Sequence, residues 1–137
     1  MWRYFALLSA LFAALTAVLA KVGLKGVNSN LATAIRTVVI LVLAWGIVAF
    51  SGELRGIKTL TRQNLIFLCL SGIATGLSWI FYFRALSTGP VSKVAPIDKL
   101  SVALAIVLSA IFLREPLDGK TIVGGLLIVA GTFVLIR

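Results

Sequence analysis

Five long apolar runs, with the charges gathered mainly in the short gaps between them, leave this chain few folds to choose from. An uncharged run lies between Arg3 and Lys21. Others follow before Glu53, between Arg62 and Arg84, between Lys99 and Arg114, and between Lys120 and Arg137. A helix rises about 1.5 Å per residue, so roughly 20 apolar residues cross a hydrocarbon core of about 30 Å. With 61% hydrophobic residues the chain has too little polar surface to coat a soluble globule. The expected class is all-α: an integral membrane protein, a bundle of five transmembrane helices over about 3–21, 31–51, 64–86, 91–113 and 120–136. Residues 1–137 hold one membrane domain and leave no room for a soluble one beside it.

The net charge of +9 points to no nucleic-acid partner, because Lys and Arg are scattered singly and form no stripe. Basic loop residues in such a chain set topology and meet anionic headgroups. Cys69 is alone and mid-span, and there is no histidine, so no metal site and no cofactor are expected. Neither paired acids nor a nucleophile with its base can be assembled, which argues against an enzyme. Arg3, the first run and Ala20 faintly resemble a signal peptide. The run is long for that role and four more spans follow, so a retained first helix is expected.

Helical spacing assigns faces. Ala6, Ala10, Ala13, Ala17 and Ala20 form a small-residue seam on the first helix. The third carries Gly72-x-x-x-Gly76, with Trp79 and Phe83 continuing that face, and Gly124 and Gly131 are read likewise as packing positions in the last. Ser71, Thr75, Ser78 and Tyr82 make a polar stripe on the third helix, and Asp98, Ser101, Ala105 and Ser109 one on the fourth. In lipid such stripes look inward, toward water or toward other helices. Both readings stay open here.

The fourth span is the odd one. Only fourteen residues separate Lys99 from Arg114, so the helix must start near Val91 and take Lys93, Pro96, Asp98 and Lys99 into or near the membrane. About a dozen Leu, Ile, Val and Phe residues return roughly 5 kcal/mol on insertion, nearly cancelled by two charges at about 2.5–3.5 kcal/mol each. Pro96 cannot donate to the carbonyl of Ser92, and freed backbone at that depth needs protein or a wet cavity around it. Arg36 sits about a turn and a half inside the second span, on a face with Ala32, Ile40 and Leu43. Intramembrane charges are functional candidates by default. Arg36, Arg84, Asp98 and Lys99 converge on one half of the membrane, and a net positive vestibule there, walled by the Tyr82 and Asp98 stripes, favours an anionic or zwitterionic solute. The alternative for Arg36, Arg84 and Lys99 is snorkelling to headgroups, which is favoured for Arg84. For Asp98 the alternative is a local ion pair with Arg36 or Lys93; neighbouring Lys99 is a poor partner on helical geometry.

Several stretches resemble an EamA domain of the drug/metabolite transporter superfamily, in its short five-helix bacterial and archaeal branch. They are Phe81-Tyr82-Phe83-Arg84-Ala85-Leu86, Gly89-Pro90-Val91-Ser92-Lys93-Val94-Ala95-Pro96-Ile97-Asp98-Lys99-Leu100-Ser101, Ile111-Phe112-Leu113-Arg114-Glu115-Pro116-Leu117, and the helix from Gly124 to Gly131. Arg36 also resembles an arginine common at that place in the family. Arg114 departs from it, since glycine more often precedes this glutamate. The resemblance implies transport of small metabolites across the cytoplasmic (inner) membrane, and half of an inverted-repeat transporter whose second half is another copy or another EamA-type subunit. Six basic residues on one side (Arg3, Arg55, Lys58, Arg62, Arg114, Lys120) face seven on the other (Lys21, Lys25, Arg36, Arg84, Lys93, Lys99, Arg137). The positive-inside rule then has little to act on, and dual topology with an antiparallel homodimer is expected. A multidrug exporter of organic cations is the runner-up. Relatives of that kind use a buried Glu in the first helix, and residues 4–20 hold no acid. A non-transporting scaffold subunit is a third reading, poorly suited by a charged break inside a span.

Overall fold

The computed structural model describes residues 1–137 and contains helices and no strand. The helices are α1 (Trp2–Gly23), α2 (Ser29–Phe50), α3 (Arg62–Thr88), α4 (Val91–Asp98), α5 (Leu100–Leu108) and α6 (Gly119–Ile136). A 3₁₀ helix, Glu53–Thr59, joins α2 to α3, and a π turn, Ser109–Leu113, ends α5. Five spans are long and apolar enough to cross a membrane, the fourth being Val91–Leu113 taken as a whole. Every observed boundary lies within two residues of its sequence expectation. The protein is a multi-pass membrane protein.

Local chemistry explains the ends. Asn28 caps α2, its Oδ1 accepting from the backbone N–H of Asn30 at 2.9 Å and of Leu31 at 3.4 Å. Gly52 follows α2 at φ +74°, a left-handed turn that a side chain would resist. Asp118 caps α6 through the N–H of Thr121 at 2.9 Å. Hydrogen bonds from the Thr121 side chain and backbone hold this exposed carboxyl below the usual range.

The chain divides into two compact units, Leu19–Ser87 and Met1–Val18 with Thr88–Arg137. In the first, Ala20, Leu24, Thr33, Phe83 and Leu86 are buried, and the Lys21 ammonium donates to the carbonyl of Leu86 near the end of α3. A cation there meets the negative end of the helix dipole and an otherwise orphaned carbonyl. In the second, α6 packs on α4 and α5. Lys93 Nζ donates to the Ile136 carbonyl at 3.2 Å, the same solution at the end of α6.

The fourth span is not one continuous helix. Pro96 leaves the Ser92 carbonyl without its helical donor, and the chain breaks shortly afterwards at Lys99 (φ −71°, ψ −10°). There the Lys99 N–H is shared between the Ala95 and Pro96 carbonyls at 3.3 and 3.1 Å. The buried Thr132 hydroxyl stands 3.2 Å from the Pro96 carbonyl and 2.8 Å from that of Ile128, so α6 supplies a polar partner to the disturbed backbone.

The small-residue positions divide. A Cβ added at Gly72, Gly76, Gly124 or Gly131 would meet nothing within 4 Å, while at Gly125 it would stand 3.4 Å from Ile106 Cδ1. The close helix approach within this chain therefore falls at Gly125, one residue from the expected position. On α1, Ala17 and Ala20 are buried, whereas Ala10 and Ala13 are exposed.

Arg114 adopts φ +54°, ψ +33°, closing the π turn through its N–H to Ser109. This is the left-handed region, where glycine is favoured over residues with a side chain. A left-handed non-glycine residue costs about 1–2 kcal/mol, partly offset by glycine's larger entropy loss of about 0.5–1 kcal/mol. Arg114→Gly is expected to stabilise the protein by up to about 1 kcal/mol, and Arg114→Val to destabilise it, in thermal melts of the purified protein in detergent.

Candidate functional site

Arg36 lies about two turns into α2, and its half-buried side chain crosses to α3. The guanidinium stands over the Phe83 ring at 4.3 Å and the Trp79 ring at 5.5 Å. Phe83 is itself 1% exposed and meets Tyr82 edge-on at 5.9 Å. Trp79 and Phe83 are one helical turn apart, so a single guanidinium covers both faces. Aromatic faces satisfy the charge in part, but they accept few of its five N–H donors. Arg36 Nη1 is buried and has no hydrogen-bond partner. A buried donor left open inside a membrane span is unusual enough to mark a place for an acceptor.

A groove of about 390 Å³ runs between α2 and α3, lined by Asn30, Thr33, Thr37 and Leu41 on one side and Gly76 and Ile80 on the other. That volume suits a small solute. Arg36 does not line the groove, but its helix neighbours Thr33 and Thr37 do. Both hydroxyls donate within α2, Thr33 to Ser29 at 2.9 Å and Thr37 to Thr33 at 2.8 Å, which leaves their oxygens as acceptors. Gly76, with no side chain, keeps the α3 wall open.

The remaining expected residues fall as follows. Arg36, Ser78 and Tyr82 belong to the unit Leu19–Ser87, and Pro96, Asp98, Lys99 and Ser101 to the other. Ser78 and Ser101 are exposed, and Tyr82, Pro96 and Asp98 are half-buried. On α3 Phe83 and Leu86 are buried and Gly76 and Trp79 half-buried, while Gly72 is exposed; Thr75 on the polar stripe donates back to Ser71 at 2.9 Å.

One expectation is overturned. Lys99, a poor partner for Asp98 on regular helical geometry, is the residue that pairs with it, Nζ to Oδ2 at 3.4 Å. Adjacent side chains diverge on a continuous helix, but Lys99 is the break residue between α4 and α5, so that geometry does not apply there. The pair is well exposed, the kind worth at most about 1 kcal/mol in water. Lys93, an expected partner of Asp98, is occupied at the end of α6.

Two parts of this arrangement were missed at the level of sequence. Trp79 and Phe83 read as packing residues, and nothing in their spacing names Arg36 as what they pack against. Thr132 is a single hydroxyl in the apolar stretch of α6 after Thr121 and carries no signal until α6 is placed against Pro96.

Comparison with known proteins adds the rest. The EamA-like transporter family model matches residues 1–137. An uncharacterized transporter in the cobO 3' region of a Sinorhizobium species is 48% identical over 134 residues, covering 98% of this chain and 95% of that protein. The uncharacterized transporter YvbV of Bacillus subtilis is 41% identical over 66 residues, 48% of this chain and 21% of that protein. No solved structure matches. Five apolar spans, a cation held inside one of them and a family match along the whole length lead to one conclusion: the chain belongs to the EamA-like transporter family and is a membrane transporter.

Proposed function

We propose that this transporter is a secondary carrier of small anionic or zwitterionic metabolites, working by alternating access in the cytoplasmic (inner) membrane. The observation behind this reading is the Arg36 guanidinium, fixed on two aromatic rings with Nη1 unpartnered, on the helix that also lines a groove of small-solute size. A carboxylate or phosphate oxygen would satisfy that donor at the strength of a charge-assisted bond. The sequence holds no Gly-x-x-x-x-Gly-Lys-Ser/Thr loop, so an ion gradient is the energy source in this reading. Asp98, an acid within the fourth span, is the candidate carrier of a coupling proton.

An exporter of organic cations is the weaker reading. The aromatic faces that would hold a cation, Trp79 and Phe83, already hold the one belonging to Arg36. The direct test is a thermal-shift screen of the purified protein against pools of acidic, zwitterionic and cationic metabolites, repeated with Arg36→Ala. Acidic or zwitterionic hits lost with that change support the proposal. Hits confined to cations, unaffected by the change, overturn it.

In this reading the chain is one half of a carrier, and the proposed assembly is an antiparallel homodimer, with a second EamA-type subunit as the alternative. The exposed surface at Gly72 suits close approach of another helix. Reporter domains fused after Arg137 are expected to give signal on both sides of the membrane. Signal on one side alone rules out dual topology and leaves the separate subunit.

A further inference from the structure

The connection between α2 and α3 is an ordered seven-residue 3₁₀ helix, Glu53–Thr59. With 3.0 residues per turn, side chains three apart eclipse one another, so such a helix shows three straight stripes. Here the stripes differ in chemistry. Leu54, Ile57 and the C-cap residue Leu60 form an apolar one, Arg55 and Lys58 a basic one, and Glu53, Gly56 and Thr59 the third. Runs of this length are uncommon in 3₁₀ form, and a helix of 3.6 residues per turn would smear the same sequence around its surface.

The apolar stripe is not used up inside the molecule. Leu54, Ile57 and Leu60 are 45%, 48% and 38% exposed. Depth is fixed by the neighbours, because Phe50 ends one membrane span and Arg62 begins the next. Those two span ends hold the segment near the bilayer surface. At about 2.0 Å per residue it spans about 14 Å, enough to lie flat between two helix ends rather than loop into water. Its charge is positive: Arg55 and Lys58, with Arg62 following, against Glu53.

We infer that Glu53–Thr59 is a membrane-surface strap, with Leu54, Ile57 and Leu60 seated at the acyl boundary and Arg55 and Lys58 on the phosphates of anionic lipids. An apolar stripe beside a basic one, held at the interface, is what partition into an anionic bilayer surface requires. The inference is independent of the cargo, and it would stand if Arg36 proved to bind nothing.

The test uses the full chain with Cys69→Ser, spin-labelled one site at a time through single cysteines at positions 53 to 61. It is reconstituted in phosphatidylcholine with and without phosphatidylglycerol. Labels at 54, 57 and 60 should be reached by oxygen from the acyl phase, with a period of three, and the others by an aqueous relaxant. Adding phosphatidylglycerol should deepen and immobilise the labels at 54 and 57. Each basic side chain near an anionic surface is worth about a fivefold change in affinity. The double variant Arg55→Gln with Lys58→Gln should thus weaken the phosphatidylglycerol titration about 25-fold. Uniform water access across all nine positions overturns the inference. So does protection that is the same with and without anionic lipid, which would mean that protein covers the stripe. Should the double variant fail to insert, the single-label scan still decides the matter.

Discussion

Arg36→Ala is expected to lower solute uptake into proteoliposomes about 100-fold while leaving the protein folded. The two halves of that outcome have separate causes. A buried charge-assisted bond to a carboxylate, once one partner is removed, typically costs about 2–5 kcal/mol, and about 2.7 kcal/mol is already a factor of 100. Stability should move little or rise, because a guanidinium inside a span is expensive to keep there and Nη1 gains nothing in the absence of cargo. A purely structural arginine behaves in the opposite way, losing stability and activity together. Arg36→Lys separates charge from shape. It keeps the cation but loses the flat face stacked on Phe83 and the fork that grips an anion, so it should recover little of the uptake. Near-wild-type transport by Arg36→Ala would show that this side chain takes no part in binding the cargo.

Phe83 offers a check on the same site from the other side. Phe83→Leu keeps most of the volume of a residue that is 1% exposed, but removes the ring beneath the guanidinium. Its effect on uptake should follow that of Arg36→Lys more closely than that of a distant packing change.

The spans were legible in the sequence because lipid imposes the bluntest rule available: about 20 apolar residues and capped ends. Asn28, Gly52, Pro90 and Asp118 all stop or start a helix where their chemistry says they should. Arg36 was legible for the same reason, as a charge in an apolar run. Its aromatic partners were not, since which face of α3 meets which face of α2 is a tertiary fact that periodicity does not contain. Nor was the pairing of Asp98 with Lys99, which needs the helix break at Lys99 in place, although Pro96 announced that a disturbance lay nearby. The 3₁₀ segment was hidden by short length and by interleaved charges, which resemble a loop until a period of three is looked for. Gly125 shows the finest limit: two adjacent glycines in α6, with only the packing of Ile106 to distinguish them.

Asp98→Asn is expected to abolish proton-driven accumulation while leaving binding and solute exchange in place. With one proton carried per solute, a gradient of one pH unit sustains about a tenfold accumulation, equivalent to about 1.4 kcal/mol. Asparagine nearly matches the shape of aspartate but carries no exchangeable acidic proton, so the ratio should fall to about one. Exchange of labelled for unlabelled solute needs the conformational cycle but no net proton, and it should persist. The position of Asp98 fits this role. It closes α4 at the break that Pro96 introduces, and its ion-pair partner is an exposed Lys99. The carboxylate is therefore not locked in a buried pair that would have to be broken at each turn of the cycle. Asp98→Glu, which retains the acid one methylene further out, should keep part of the coupling. Undiminished accumulation by Asp98→Asn would transfer the coupling to another ion or another residue, whereas loss of exchange as well would place Asp98 in the binding of cargo instead.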